Sequence, residues 1–142
     1  MRERYLRFAV ALLALIGAGI GGYLTYTHFR GTPPVCFTSG CGVVQNSRWS
    51  ELFGIPVALL GLLAYLSIVA TTLVRHPLSK QVGATIALTA LGFNAYLLYV
   101  QAHLIGRYCT WCVSNEIVSA VLAPIAIAWL LTSGDRDKRG PA

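Results

Sequence analysis

The sequence predicts an all-α membrane protein, a four-transmembrane-helix bundle with one cysteine-bearing loop, and three observations carry that expectation. Hydrophobic residues make up 56% of the 142 and charged residues only 11%, whereas a soluble domain averages about 25% charged; the mean hydropathy is +0.64. The apolar residues gather in four runs, each close to the ~20 residues that cross a hydrocarbon core. The net charge of +6 sits at the ends of those runs. It forms no basic stripe interleaved with exposed aromatics, which argues against nucleic acid as the partner. A chain of this length has room for one domain, 1–142.

The first run, Phe8–Tyr26, carries no charge and follows Arg2, Arg4 and Arg7. A cleaved signal peptide would have an apolar region of about 7–15 residues and an Ala-x-Ala-like site, so the run is read as helix 1. Within it, Gly17-Ala18-Gly19-Ile20-Gly21-Gly22 matches the dinucleotide-binding fingerprint letter for letter. That fingerprint requires a preceding strand and a βαβ unit. Here Gly17 and Gly21 have the small-xxx-small spacing that lets a neighbouring helix come close.

Thr27 to Glu51 is the longest polar interval, broken by Gly31, Pro33, Pro34, Gly40 and Gly42 and holding Cys36 and Cys41. Helix 2 is placed at Leu52–Val74 with Pro56 near its start, where a proline costs little. A connector, Arg75 to Lys80, leads to helix 3 over Gln81–Ile105, which bears Asn94, Gln101 and His103. After a link at Gly106–Tyr108, helix 4 covers Cys109–Thr132 with Pro124 inside it, and the tail Ser133–Ala142 is expected to be loose.

Four spans put both termini on one side. The N-terminus, the second connector and the tail hold eight Lys and Arg, against three (Arg30, Arg48, Arg107) in the first and third connectors. The positive-inside rule then makes both termini cytoplasmic and sends all four cysteines to the outer face, where disulfides persist. Cys109 and Cys112 lie one turn apart at a helix entrance, whose unpaired N–H groups and dipole favour thiolate. Cys36 and Cys41 lie on a loop. A mobile pair and an anchored pair suit the passing of a disulfide from one to the other by thiol exchange. The alternative is a non-catalytic membrane protein whose cysteines hold zinc or form static disulfides. An alternating strand and helix pattern, as in a thioredoxin-like domain, is absent.

Cys36, Cys41, Ser47-Arg48-Trp49, Phe53-Gly54-Ile55-Pro56 with Gly61 and Tyr65, and Cys109-Thr110-Trp111-Cys112 together resemble the vitamin K epoxide reductase family, over roughly Cys36 to Ile117. The likeness is to bacterial members, which reoxidise periplasmic thiol oxidoreductases and pass electrons to a membrane quinone. It implies an enzyme of the inner membrane, a protein-dithiol:quinone oxidoreductase with menaquinone or ubiquinone as its cofactor and no resident metal. Many bacterial members carry a fused thioredoxin-like domain; this chain ends at Ala142 without one, so a separate thioredoxin-like partner is expected. By the resemblance, Cys36 and Cys41 accept electrons from that partner, Cys41 passes them to Cys109, and Cys112 faces the quinone. Helix geometry agrees, placing Cys112 about 4–5 Å deeper than Cys109.

The resemblance makes Ser47 a donor to a quinone oxygen, although a cap for helix 2 explains the same residue. It makes Trp49 the aromatic that closes the pocket, in competition with an interfacial role. Phe53, Leu97 and Gln101 complete the expected lining. The chain departs from animal members at Val57, where they carry an Asn that bonds the quinone, and at Glu116, where they carry a Tyr. These departures weaken any claim that vitamin K epoxide itself is a substrate. Glu116 is read as support for the helix 4 dipole, with a proton relay as the alternative. His28, His76 and His103 lack ligand spacing, and His103, Tyr96 and Tyr99 are expected at the interface or in packing.

Overall fold

A computed structural model describes residues 2–31, 51–52, 54–74, 76–106 and 110–138. Its elements are α1 (Arg2–Arg30), a two-stranded antiparallel turn of β1 (Glu51–Leu52) and β2 (Ile55–Pro56), α2 (Val57–Leu73), α3 (Pro77–Tyr99) continued by a π-helical turn (Val100–Ile105), and α4 (Thr110–Lys138). Three stretches, Glu3–Arg30, Leu78–Ile105 and Thr110–Thr132, are long and apolar enough to cross a membrane, and Val57–Leu73 is a shorter apolar helix. Among the described residues the fold is all-helical apart from the small turn, and it fits a multi-pass membrane protein.

Several boundaries differ from the sequence expectation, each for a local reason. α1 is longer at both ends because its flanking arginines are good helix formers, and it stops at Gly31, whose φ of +69° suits glycine. α2 starts at Val57 rather than Leu52, since Glu51 pairs with Pro56 and Leu52 with Ile55 across a turn with Gly54 at φ +80°. Pro56 becomes the residue before the first turn. α3 begins four residues early, with a proline in its first turn and the His76 Nδ1 accepting from the Leu78 N–H at 3.1 Å. α4 runs through Pro124 and on to Lys138, so the predicted loose tail is partly helical.

The helices form a ring in which α1 packs on α2 and α4, and α3 packs on α2 and α4. Contacts at the two ends set their directions. At one end Arg7, early in α1, donates to the carbonyls of Thr72 and Val74 at the end of α2. Lys80, early in α3, pairs with Glu3 and lies 5.7 Å from the ring centre of Trp129, late in α4. At the other end Tyr23 stacks on Trp111 with ring centres 5.0 Å apart. Neighbouring helices are thus antiparallel, and α1 begins at the end where α4 finishes.

Val10, Ala14 and Ala18 of α1, Tyr65 and Ile68 of α2, Ala87 of α3 and Leu122, Ala126 and Trp129 of α4 make the core. Small side chains dominate α1 because its backbone lies close to α2. A Cβ on Gly21 would stand 3.2 Å from the Leu62 nitrogen and 3.3 Å from the Ala58 oxygen, and one on Gly17 would strike the Tyr65 ring. Within the nucleotide-like string, Gly17 and Gly21 serve this approach. Leu12, Leu15, Leu63, Leu66, Leu88 and Leu131 remain exposed on the outside, as lipid-facing residues would.

Candidate functional site

The end of the bundle that holds Tyr23 and Trp111 also holds the first turns of α4, and there the chemistry-bearing residues gather. Trp111 packs on α1 while Cys112, Asn115 and Glu116 follow at spacings that share one helical face. That face looks into a cavity of about 390 Å³ lined by all four helices. Its walls are mostly apolar, with Ile20 and Leu24 from α1, Val57 and Leu60 from α2, and Phe93 and Leu97 from α3. Cys112, the hydroxyls of Thr85 and Thr89, and the carboxamides, carboxyl and phenol of Asn94, Gln101, Asn115, Glu116 and Tyr65 supply its polar groups.

The amides, the carboxyl and the phenol hydrogen-bond among themselves. Gln101 is 2% exposed and its Nε2 donates to the Glu116 Oε1 at 2.7 Å. The Asn115 Nδ2 donates to the Asn94 Oδ1 at 3.1 Å, while the buried Asn115 Oδ1 finds no partner among the described residues. The Tyr65 hydroxyl donates to the Asn115 carbonyl at 3.5 Å. Gln101 belongs to the π-helical turn, which closes when the Gly106 N–H donates to the Gln101 carbonyl at 2.9 Å with Gly106 at φ +73°. Such turns are rare and concentrate at functional sites.

Of the residues singled out in the sequence, Cys112, Leu97 and Gln101 all line the cavity. Cys36, Cys41, Ser47, Trp49, Phe53 and Cys109 lie outside the described residues. His103 is exposed and stacks on Tyr99 at 4.9 Å between ring centres, and Tyr96 and Tyr99 are exposed as well. Glu116 stands in the second turn of the described helix, past the reach of the terminal dipole, so its place in the cavity outweighs the dipole reading. Sequence reasoning passed over Asn115 and gave Asn94 no role. A signal was present, since both are polar residues inside long apolar runs and Asn115 follows Cys112 at helical spacing.

A 390 Å³ cavity is within the ~300–1,000 Å³ usual for small-molecule sites. Apolar walls with a few convergent donors and acceptors suit a ring bearing carbonyl groups and an apolar substituent, such as a quinone. The sulfur of Cys112 lies on the same wall, and a cysteine in its thiolate form is a nucleophile.

The sequence pattern of the vitamin K epoxide reductase family matches residues 8–127. A thiol-disulfide oxidoreductase of Arabidopsis thaliana, LTO1, is 29% identical over 112 residues, covering 68% of this chain and 29% of that protein. The chain thus spans under a third of that relative's length. The family pattern takes in α1, α2, α3 and most of α4, including Cys112 and every residue of the cavity wall, and on that extent the chain belongs to the vitamin K epoxide reductase family.

Proposed function

We propose that this protein is a membrane thiol:quinone oxidoreductase that reoxidises a thioredoxin-like disulfide-forming partner and delivers the electrons to menaquinone or ubiquinone. The observation that carries the reading is the position of Cys112 on the wall of a largely apolar cavity, beside a cluster of hydrogen-bonding side chains. Family membership and the thiol-disulfide chemistry named for the Arabidopsis relative support it.

In this reading four helices span the inner membrane of a bacterium, with both termini cytoplasmic by the distribution of Lys and Arg. The end of α1, the start of β1 and the first turn of α4 share one end of the bundle, which is then the periplasmic end. Cys36 and Cys41, on the connection between α1 and β1, exchange with the partner's dithiol. Cys41 attacks or is attacked by Cys109 through a mixed disulfide, and the Cys109–Cys112 pair becomes the electron donor to quinone. Leu97 and the apolar walls hold the quinone ring and exclude water. Gln101 orients the polar end of the cavity, and Ser47, Trp49 and Phe53 complete the site.

The test separates the sulfurs. Cys112→Ser should abolish quinone reduction with both the protein partner and small dithiols as reductant. Cys36→Ser should block the protein partner and retain activity with small permeant dithiols. Equal loss for both variants with both reductants would contradict the assignment of different steps.

A further inference from the structure

We propose that Glu116 is the proton carrier of the cavity, moving a proton between the redox sulfurs and the quinone, with Gln101 as its positioning residue. The proposal rests on the thiol:quinone reading above.

A carboxyl group within a transmembrane bundle is costly, and such residues face the bundle interior and take part in proton or ion movement. Glu116 fits that description: it is 9% exposed and lines the cavity that Cys112 also lines. The two residues are four apart on α4, which puts them on one face with Glu116 about 6 Å further along the axis. Gln101 reaches across from the π-helical turn and fixes one carboxyl oxygen through its 2.7 Å hydrogen bond. That bond orients Glu116, and Gln101 carries no proton that it can give up. The other titratable groups on the cavity wall are Cys112 itself and Tyr65 of α2, whose hydroxyl is directed to the Asn115 carbonyl; α1 and α3 contribute none.

Closing the Cys109–Cys112 disulfide removes two electrons and two protons from the dithiol, and both electrons and both protons end on the quinone, giving quinol. Glu116 accepts one thiol proton and gives it to the nearer quinone oxygen, ending in the state in which it began. The second proton reaches the other oxygen through solvent at the mouth of the cavity. Nothing beyond the dithiol and the quinone is consumed.

The experiment uses the full chain in lipid nanodiscs, with dithiothreitol as reductant and a short-chain ubiquinone as acceptor. Glu116→Gln, nearly isosteric, should lower turnover by about 10²- to 10⁴-fold, the usual contribution of a positioned acid or base, with KM for the quinone little changed. Glu116→Asp, which keeps the acid, should recover much of that loss; recovery no better than Gln would overturn the proton role in favour of a structural one. A second readout needs no quinone. With no quinone oxygen to take it, the accepted proton stays on Glu116, so infrared difference spectra between the dithiol form and the form oxidised by diamide should contain a protonated-carboxyl band that Glu116→Gln removes and Gln101→Leu shifts. A Glu116→Gln protein that turns over at the parent rate, or a parent spectrum without that band, overturns the proposal. If the parent protein fails to reduce quinone at all, the thiol:quinone reading has failed, a result separate from any difference between variants.

Discussion

Gly17→Ala puts the packing of α1 against α2 to a quantitative test. A Cβ at that position would stand 2.5 Å from the Cε1 and Cζ atoms of Tyr65 and 2.7 Å from its Cδ1. Carbon atoms prefer separations of about 3.5–4.0 Å, so ring or helix must move by about 1 Å. Tyr65 is 2% exposed, and its ring can retreat only by giving up its present packing and moving into the cavity that it lines. Overpacking of this kind costs about 1–3 kcal/mol. Replacing a helical glycine by alanine returns up to ~1 kcal/mol through backbone entropy. Gly19→Ala isolates that second effect, because nothing lies within 4 Å of its Cβ position. Gly17→Ala should therefore be less stable than Gly19→Ala by about 1–3 kcal/mol, roughly a 5- to 150-fold difference in the folding equilibrium. Unfolding in mixed micelles with increasing dodecyl sulfate, followed by alkylation of Cys112, would measure the gap. In a Tyr65→Ala background the gap should shrink to within about 0.5 kcal/mol, as it does for residues that no longer interact. Equal stability of the two alanine variants, or a gap that survives without Tyr65, would refute the close approach.

Two further predictions concern topology and the relay. Reporters fused at either terminus should read cytoplasm and reporters placed between Thr27 and Glu51 should read periplasm; the opposite pattern would overturn both the orientation and the redox assignment. A Cys36→Ser/Cys112→Ser double variant leaves Cys41 and Cys109 with no neighbouring thiol to resolve a mixed disulfide. It should trap a Cys41–Cys109 bond, which needs Cα atoms within about 7 Å. Cleavage between α2 and α3 followed by non-reducing electrophoresis would show the two halves joined. A double variant that stays fully thiol under oxidants sufficient for the parent would favour the zinc or static-disulfide alternative.

The helical architecture was legible because its signals are long-range averages. Four apolar runs and charges confined to their ends survive errors of several residues. Boundaries were not legible to that degree, since they depend on local geometry that hydropathy does not register. Leu52 is as apolar as the helix that follows, yet it pairs with Ile55 across a turn that places Gly54 at positive φ. The early start of α3 reflects a cap by His76 and a proline in the first turn, which a hydropathy window merges into the polar connector.

The polar end of the cavity shows the same division. Gln101 stood out as a polar residue in an apolar span, and it lines the cavity with Leu97. Its partnership with Glu116 crosses from α3 to α4, fifteen residues away in sequence, and depends on how a π-helical turn and a helix start face each other. Asn94 and Asn115 meet across the same two helices. Pairings of this kind come from bundle packing, whereas the small-residue spacing of Gly17 and Gly21 could be read from one helix alone.

The most direct measurement is anaerobic. Purified protein in lipid, supplied with a reduced thioredoxin-like partner and a membrane quinone, should convert one quinone to quinol for each disulfide formed in the partner, and Cys112→Ser should bring that conversion to the background rate. Partner oxidation that proceeds without quinol formation, or quinol formation unaffected by Cys112→Ser, would contradict the transfer of electrons from the cysteine relay to a quinone in this cavity.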